Sequence, residues 1–167
     1  MTMNDSYKDT KLILKGKKKL NIVLCELAKW ITVEYNAKVL NIYYDTFTVD
    51  KSQRPRLEIV LEKRMEIDIF LHKGFTYDTV KKKRIIDELS AIMKKQKCFF
   101  LKKRISYDTT NMSLVFSVFL PAALSEANNK VSIEEINEIK NSFKNDYVWE
   151  ISKCFDSATI FFYTEKQ

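Results

Sequence analysis

The chain has 167 residues, of which 46% are hydrophobic and 13% aromatic, so it has enough apolar material for a packed domain and is not a disordered chain. It contains only two glycines, Gly16 and Gly74, which are too far apart to form a glycine-rich loop. Phosphate-binding loops, dinucleotide fingerprints and nucleophile elbows need closely spaced glycines, so these nucleotide-binding and hydrolase motifs are absent.

The cysteine and histidine content argues against a disulfide framework and against a zinc site. Cys25, Cys98 and Cys154 are far apart in apolar surroundings, as expected for reduced, buried thiols of a cytoplasmic protein. No C-x-x-C pair occurs and His72 is the only histidine, so we expect no metal and no cofactor. No apolar segment is long enough for a signal peptide or a membrane span, so we expect no membrane partner.

The net charge of +7 is unevenly distributed, because 24 of the 29 Lys and Arg residues lie in residues 1–104. A basic body with an acidic end suits binding to nucleic acid or to an acidic protein. Ordinary solvation is the simpler interpretation, since only five of the cations are arginine, the side chain best suited to bases and phosphates.

The first residues differ in composition from those that follow. Residues 1–10 are polar and predict a flexible N-terminal tail, followed by a single domain over residues 11–167. Apolar residues then recur at helical spacing and predict a helix over 17–35.

Strands are predicted after this helix. Residues 37–49 are strand-like, and a change of apolar parity near Asp45 predicts a bulge or bend. Residues 51–54 are predicted to form a turn, and alternating apolar residues predict strand structure over 57–71. The alternation breaks at Lys63 and Arg64, which predicts either a tight turn or an exposed stretch of one long strand.

The middle of the chain repeats this order. A helix is predicted over 78–96 with Asp78 as its cap. Strands over 99–107 and 112–120 follow, joined by a turn at 108–111, and the polar residues 125–130 close this part.

The last third begins with a helix-capping signal. Ser132 and Glu135 form a capping box that predicts a third helix. We favour a strand over residues 147–154, with an extension of the helix as the alternative, and a final strand over 158–164.

A helix followed by a pair of strands thus occurs three times. Consecutive hairpins predict an α+β fold, with a largely antiparallel sheet of about five to seven strands and three helices.

Aromatic residues are concentrated in strands. Consecutive aromatics place a ring on each face of a sheet, which indicates either that part of the surface is an interface or that helices cover both faces of the sheet. The leading hypothesis is a non-enzymatic cytoplasmic module that binds another protein, of the inhibitor, immunity or adaptor kind, with no catalytic residues. The predicted partner-binding residues are Tyr43, Tyr44, Phe47, Arg54 and Arg56. The aromatic residues Phe161 and Phe162 belong to the same pattern.

Lysine-rich segments support a first alternative, a nucleic-acid-binding protein. Cations along the second predicted helix would line its solvent face and follow a phosphate backbone. The residues concerned are Lys81, Lys82, Arg84, Lys94 and Lys95. The chain lacks the interleaved aromatics and the motifs of the common nucleic-acid-binding domains.

Paired carboxylates support a second alternative, a divergent metal-dependent nuclease. Asp50 upstream of Glu62, with Glu66 and Asp68 beyond, has a faint likeness to the D…(D/E)-x-K layout of such nucleases. The position two residues after Glu62 is Arg64 and not lysine, and alternating charges are also what an exposed strand face requires.

Overall fold

A computed structural model describes residues 5–72, 76–99, 105–143, 148–155 and 157–162. Over these ranges the chain is α+β, as predicted, with six helices and two small sheets of three and two strands. The prediction of one sheet of five to seven strands with three helices was therefore wrong. The chain divides into two compact units, Met1–Phe119 and Leu120–Gln167. The single domain over 11–167 stays a prediction.

The first unit contains four helices and a three-stranded sheet. Its elements are α1 (Asp5–Leu14), α2 (Ile22–Tyr35), β1 (Val39–Val49), β2 (Ser52–Leu61), a 3₁₀ helix (Arg64–Phe70), α3 (Thr79–Phe99) and β3 (Ser113–Val118). Strands β1 and β2 pair antiparallel, whereas β2 and β3 pair parallel. A parallel pair needs a long crossover, and here the 3₁₀ helix and α3 provide it. The predicted repetition of hairpins fails at this crossover.

The turn between β1 and β2 begins at Asp50, one residue before the turn that the sequence predicts over 51–54. Asp50 and Lys51 both have positive φ, at 48° and 65°, as a two-residue hairpin loop requires. The register is regular from Asn41 to Val49, and the irregularity lies between Val39 and Asn41. The pairing is therefore unbroken at Asp45, so the bulge predicted there was wrong, and the change of apolar parity does not mark a break in the strand.

The strand predicted over 57–71 ends at Leu61, and the 3₁₀ helix follows. The Glu66 carboxylate accepts the backbone N–H groups of Lys63 and Lys38, each at 2.8 Å. The Glu66 side chain thus accepts hydrogen bonds from backbone N–H groups that would otherwise lack a partner. This stabilises a 3₁₀ helix where the alternation of apolar residues alone predicts an extended strand.

Two faces of the sheet are covered. On one face Leu57, Ile59 and Leu61 are fully buried in the main core with the apolar residues of α2 and α3. Phe70 from the 3₁₀ helix stacks on Phe116 of β3, with ring centroids 4.2 Å apart. The core therefore fixes the crossover against the sheet.

The opposite face carries a buried polar cluster beneath α1. Ser6 and Ser117 each donate a hydrogen bond to the Glu58 carboxylate, at 2.8 and 2.7 Å. Asn41 donates to the Thr10 hydroxyl at 3.1 Å. Ser6, Thr10, Asn41 and Glu58 are all at most 4% exposed, so their polar atoms depend on one another for hydrogen bonds. Residues 5–10 of the predicted tail thus lie in α1.

The second unit contains the remaining elements. These are α4 (Phe119–Lys130), α5 (Ile133–Ser142), β4 (Val148–Cys154) and β5 (Ser157–Phe162), with β4 and β5 paired antiparallel. The capping box at Ser132 is confirmed, and so is the choice of strand over helix for 148–154.

Helix α4 replaces the predicted end of a strand and the polar closing segment. Pro121 is its third residue, where a backbone N–H has no partner within the helix, so proline does not prevent the helix. Residues 105–107 of the strand predicted over 99–107 are not in a strand, and residues 100–104 lie outside the described ranges.

Within the ranges that the structure describes, no helix has both the length and the apolar character needed to cross a membrane.

The polar cluster gives a stability prediction. Replacing Ser6 with alanine removes one of the two hydroxyls bound to the buried Glu58 carboxylate, and a hydrogen bond to a charged group contributes about 1.5–3 kcal/mol. We expect Ser6→Ala to lower the free energy of unfolding by about that amount in urea titrations. Lys8→Ala, on an exposed position of α1, is the matched control, and equal midpoints for both variants would contradict the role of the cluster.

Candidate functional site

The β1–β2 hairpin carries all five predicted partner-binding residues, but it divides them between its two faces. Phe47 lies opposite Arg54, and Asp45 lies opposite Arg56. Tyr44 lies on the other face, opposite Leu57, where it packs against the core. The five residues therefore share one hairpin but not one surface.

Arg56 is held by neighbours within the hairpin. Its Nε donates to Asp45 Oδ1 at 2.8 Å, and its Nη2 donates to the second carboxylate oxygen. The guanidinium carbon is also 5.9 Å from the centre of the Phe47 ring. Hydrogen bonding to Asp45 raises the pKa of Arg56, so the ion pair persists at any physiological pH. Arg56 consequently stiffens the hairpin.

Arg54 is exposed and lines an open groove of about 660 Å³ beside the hairpin turn. Most of the side chains that line this groove are polar, among them Gln53, Asp108, Thr110 and Asn111. A groove of this kind offers hydrogen bonds to a polypeptide but contains no residue that would act as a nucleophile at neutral pH.

A second, smaller cleft of about 270 Å³ lies along β1, which is an edge strand of its sheet. Tyr43, Tyr44 and Tyr107 line it together with Lys18 and other residues. The rings of Tyr44 and Tyr107 lie 4.7 Å apart, and Asn21 donates a hydrogen bond to the Tyr107 hydroxyl. Lys18 forms an ion pair with Asp9.

The phenols of Tyr43 and Tyr107 remain protonated at neutral pH. Burial raises the pKa of Tyr43, and the nearby carboxylates of Asp5, Asp45 and Asp9 raise it further. Burial also raises the pKa of Tyr107, more than the hydrogen bond from Asn21 lowers it. These groups can donate and accept hydrogen bonds, but they do not provide a general base.

The cations at the start of α3 are engaged within the first unit. Lys81 donates to the carbonyl oxygen of Ile69, and Lys82 lies 5.4 Å from the centre of the Tyr77 ring. Arg84 forms a 2.7 Å ion pair with Glu34. Lys94 and Lys95 are exposed further along the helix. The five predicted nucleic-acid contacts are therefore not a uniform row of solvent-exposed charges.

The carboxylates of the nuclease layout are not brought together. Asp50 lies in the hairpin turn before β2, and Glu62 follows the other end of this ten-residue strand, about 33 Å away at about 3.3 Å per residue. Glu62 pairs with Lys38, and Glu66 caps the 3₁₀ helix. In the described parts of the chain, no group of three or more His, Cys, Asp or Glu residues is arranged to hold a metal ion.

The hairpin of the second unit carries several exposed apolar side chains. All six residues of β5 are exposed, and Trp149 of β4 contacts Phe161 edge-to-face with ring centroids 6.0 Å apart. Exposed fractions are 52% for Trp149, 81% for Phe155 and 61% for Phe162. We call this the C-terminal apolar surface, which consists of Trp149, Phe155, Ile160, Phe161 and Phe162.

Two of these five side chains, Phe161 and Phe162, were noted in the sequence, whereas Trp149, Phe155 and Ile160 were missed. The signal was the run Ile160-Phe161-Phe162, which places apolar side chains on both faces of a strand. Cys154, predicted to be buried, is exposed at the end of β4, and the side chain of Cys98 lies outside the described residues.

Comparisons of the chain with protein family models, with curated proteins and with solved structures found no match.

The raised pKa values of the cleft phenols give a pH prediction. The phenols of Tyr43 and Tyr107 have a higher pKa in the folded state than in the unfolded state, so their protonation stabilises the fold. This contribution to the free energy of unfolding is complete below pH about 10, the unfolded-state pKa, and is lost as the pH rises through the folded-state pKa. A titration that follows tyrosinate absorbance should show a phase of ionisation above the ordinary tyrosine pKa. The amplitude of this late phase should decrease in Tyr43→Phe and in Tyr107→Phe. A late phase of unchanged amplitude in both variants would contradict the assignment.

Proposed function

We propose that the chain is a non-enzymatic module that binds another protein, in the manner of an inhibitor, an immunity protein or an adaptor. The observation that carries this proposal is the C-terminal apolar surface. Large exposed apolar side chains are typical of protein interaction sites, and here they lie on both faces of the β4–β5 hairpin. A cytoplasmic location stays a prediction.

The second unit buries few of its own apolar side chains. Among its described residues, the buried apolar side chains are those of Ile136 and Val148, each 9% exposed. A fully covered aromatic side chain removes about 150–250 Å² from water, so covering one that is half exposed contributes roughly 2–3 kcal/mol at about 25 cal/mol per Å². Several such side chains together supply the central contacts of a protein interface.

The β1–β2 hairpin supports the same function in the first unit. Arg56 holds Phe47 and Asp45 in a fixed arrangement, and Arg54 is exposed beside an open polar groove. Rigid aromatic and arginine side chains lose little conformational entropy on binding and are common in interfaces. This hairpin is the second surface that we expect a partner to use.

Nucleic-acid binding and metal-dependent cleavage are not the functions that the geometry favours. Lys81, Lys82 and Arg84 contact groups of their own unit, and Asp50 and Glu62 lie at opposite ends of β2. Both alternatives stay predictions from the sequence.

The test is quantitative co-purification from the native host at physiological salt. We expect a protein that is enriched with the unchanged chain and at least about tenfold depleted with a Phe161→Ser, Phe162→Ser double variant, because the variant loses two exposed rings. Val33→Ser, on a position that is 84% exposed in α2, is the control and should retain the partner. Equal recovery by the double variant would remove the C-terminal apolar surface from the proposal.

A further inference from the structure

Among the residues that the structure describes, none protects the edge of strand β5 that faces away from β4. Within the described part of the chain it pairs only with β4, and all six of its residues are exposed. Its sequence, Ser157 to Phe162, contains no charged residue and no proline. Natural sheets normally protect such edges with lysine, proline, a bulge or a covering element, because unpaired N–H and C=O groups recruit another strand.

We propose that β5 pairs antiparallel with β5 of a second copy of this chain, which completes a four-stranded sheet in a homodimer. The proposal rests on the function inferred above, since it assigns one occupant to part of the C-terminal apolar surface. The two β4–β5 hairpins would lie side by side, with the two β5 strands at the centre.

The side chains of β5 fit this pairing. A two-fold axis perpendicular to a sheet keeps each side chain on its own face, so directly opposed residues lie an even number of positions apart. With the axis at Ile160, Ala158 lies opposite Phe162 and Thr159 lies opposite Phe161 of the second copy. Each large ring therefore meets a small side chain, and only Ile160 meets itself.

The charges permit this pairing. Like charges opposite one another destabilise a sheet, and β5 has none to oppose. Glu150 and Lys153 lie on β4, so they would be three strand spacings, about 14 Å, from their equivalents. This exceeds the Debye length of about 8 Å at physiological ionic strength, so repulsion between the hairpins is largely screened.

The pairing also stabilises the β4–β5 sheet. An isolated two-stranded sheet is marginally stable in water, whereas sheets of three or more strands with an apolar face are stable. Because each chain uses its one β5 edge, the contact is isologous and closes at two copies.

The experiment is sedimentation velocity of the full chain over a concentration series up to about 100 μM. We expect a reversible dimer. Ile160→Lys and Ile160→Glu should each weaken association at least about tenfold, because each places like charges opposite one another at the two-fold axis. An equimolar mixture of the two variants should restore the dimer, because a lysine then faces a glutamate.

The controls are Val33→Lys and Val33→Glu, which place the same charges on an exposed position of α2 and should dimerise like the unchanged chain. A monomer over the whole series would overturn the homodimer while leaving the proposed binding to another protein intact. Dimers that survive both Ile160 variants, or variants that fail to associate when mixed although circular dichroism shows them folded, would overturn the β5 pairing. An unchanged chain that forms the dimer but captures no other protein from the native host would contradict the proposed function alone.

Discussion

The first unit depends on the burial of β2 on both of its faces. Leu57, Ile59 and Leu61 point into the main core, and Glu58 between them points under α1. An unpaired carboxylate in such a place would be strongly destabilising, so α1 and β3 must supply the Ser6 and Ser117 hydroxyls. The position of α1, the parallel β3 and the crossover that connects it to β2 all follow from this strand.

Among its described residues, the second unit has no strand that is covered on both faces as β2 is. Its two-stranded sheet leaves every residue of β5 exposed, and α5 packs against β4 through a few contacts. Its polar anchors lie at the turn, where Asn128 donates to the carbonyl oxygens of Phe155 and Ser157. The turn is therefore well supported, while Ile160, Phe161 and Phe162 have β4 on one side and, among the described residues, no strand on the other. This contrast between a strand covered on both faces and a strand with one neighbour is the physical basis of the proposed binding function.

The sequence predicted the elements that local chemistry determines. The Ser132 capping box, the helix around Leu89 and the strand after residue 147 were all found from local signals. The parallel pairing of β2 with β3, the burial of Ser6 and the turn at Glu66 depend on contacts between distant residues, so no local pattern reveals them. For the same reason the sequence grouped the five predicted partner-binding residues together but did not reveal that they lie on two faces of the β1–β2 hairpin. The exposure of β5 was missed because an apolar strand normally indicates a core.

The central claim is that β5 is a binding edge, and residue-resolved amide hydrogen exchange tests it most directly. Alternate N–H groups of an edge strand point away from their neighbour, so in dilute protein they should exchange quickly while those bonded to β4 are protected. At high protein concentration the account predicts that the outward N–H groups of Ala158–Phe162 become protected, with no change in β1. Identical exchange along β5 at both concentrations would contradict it.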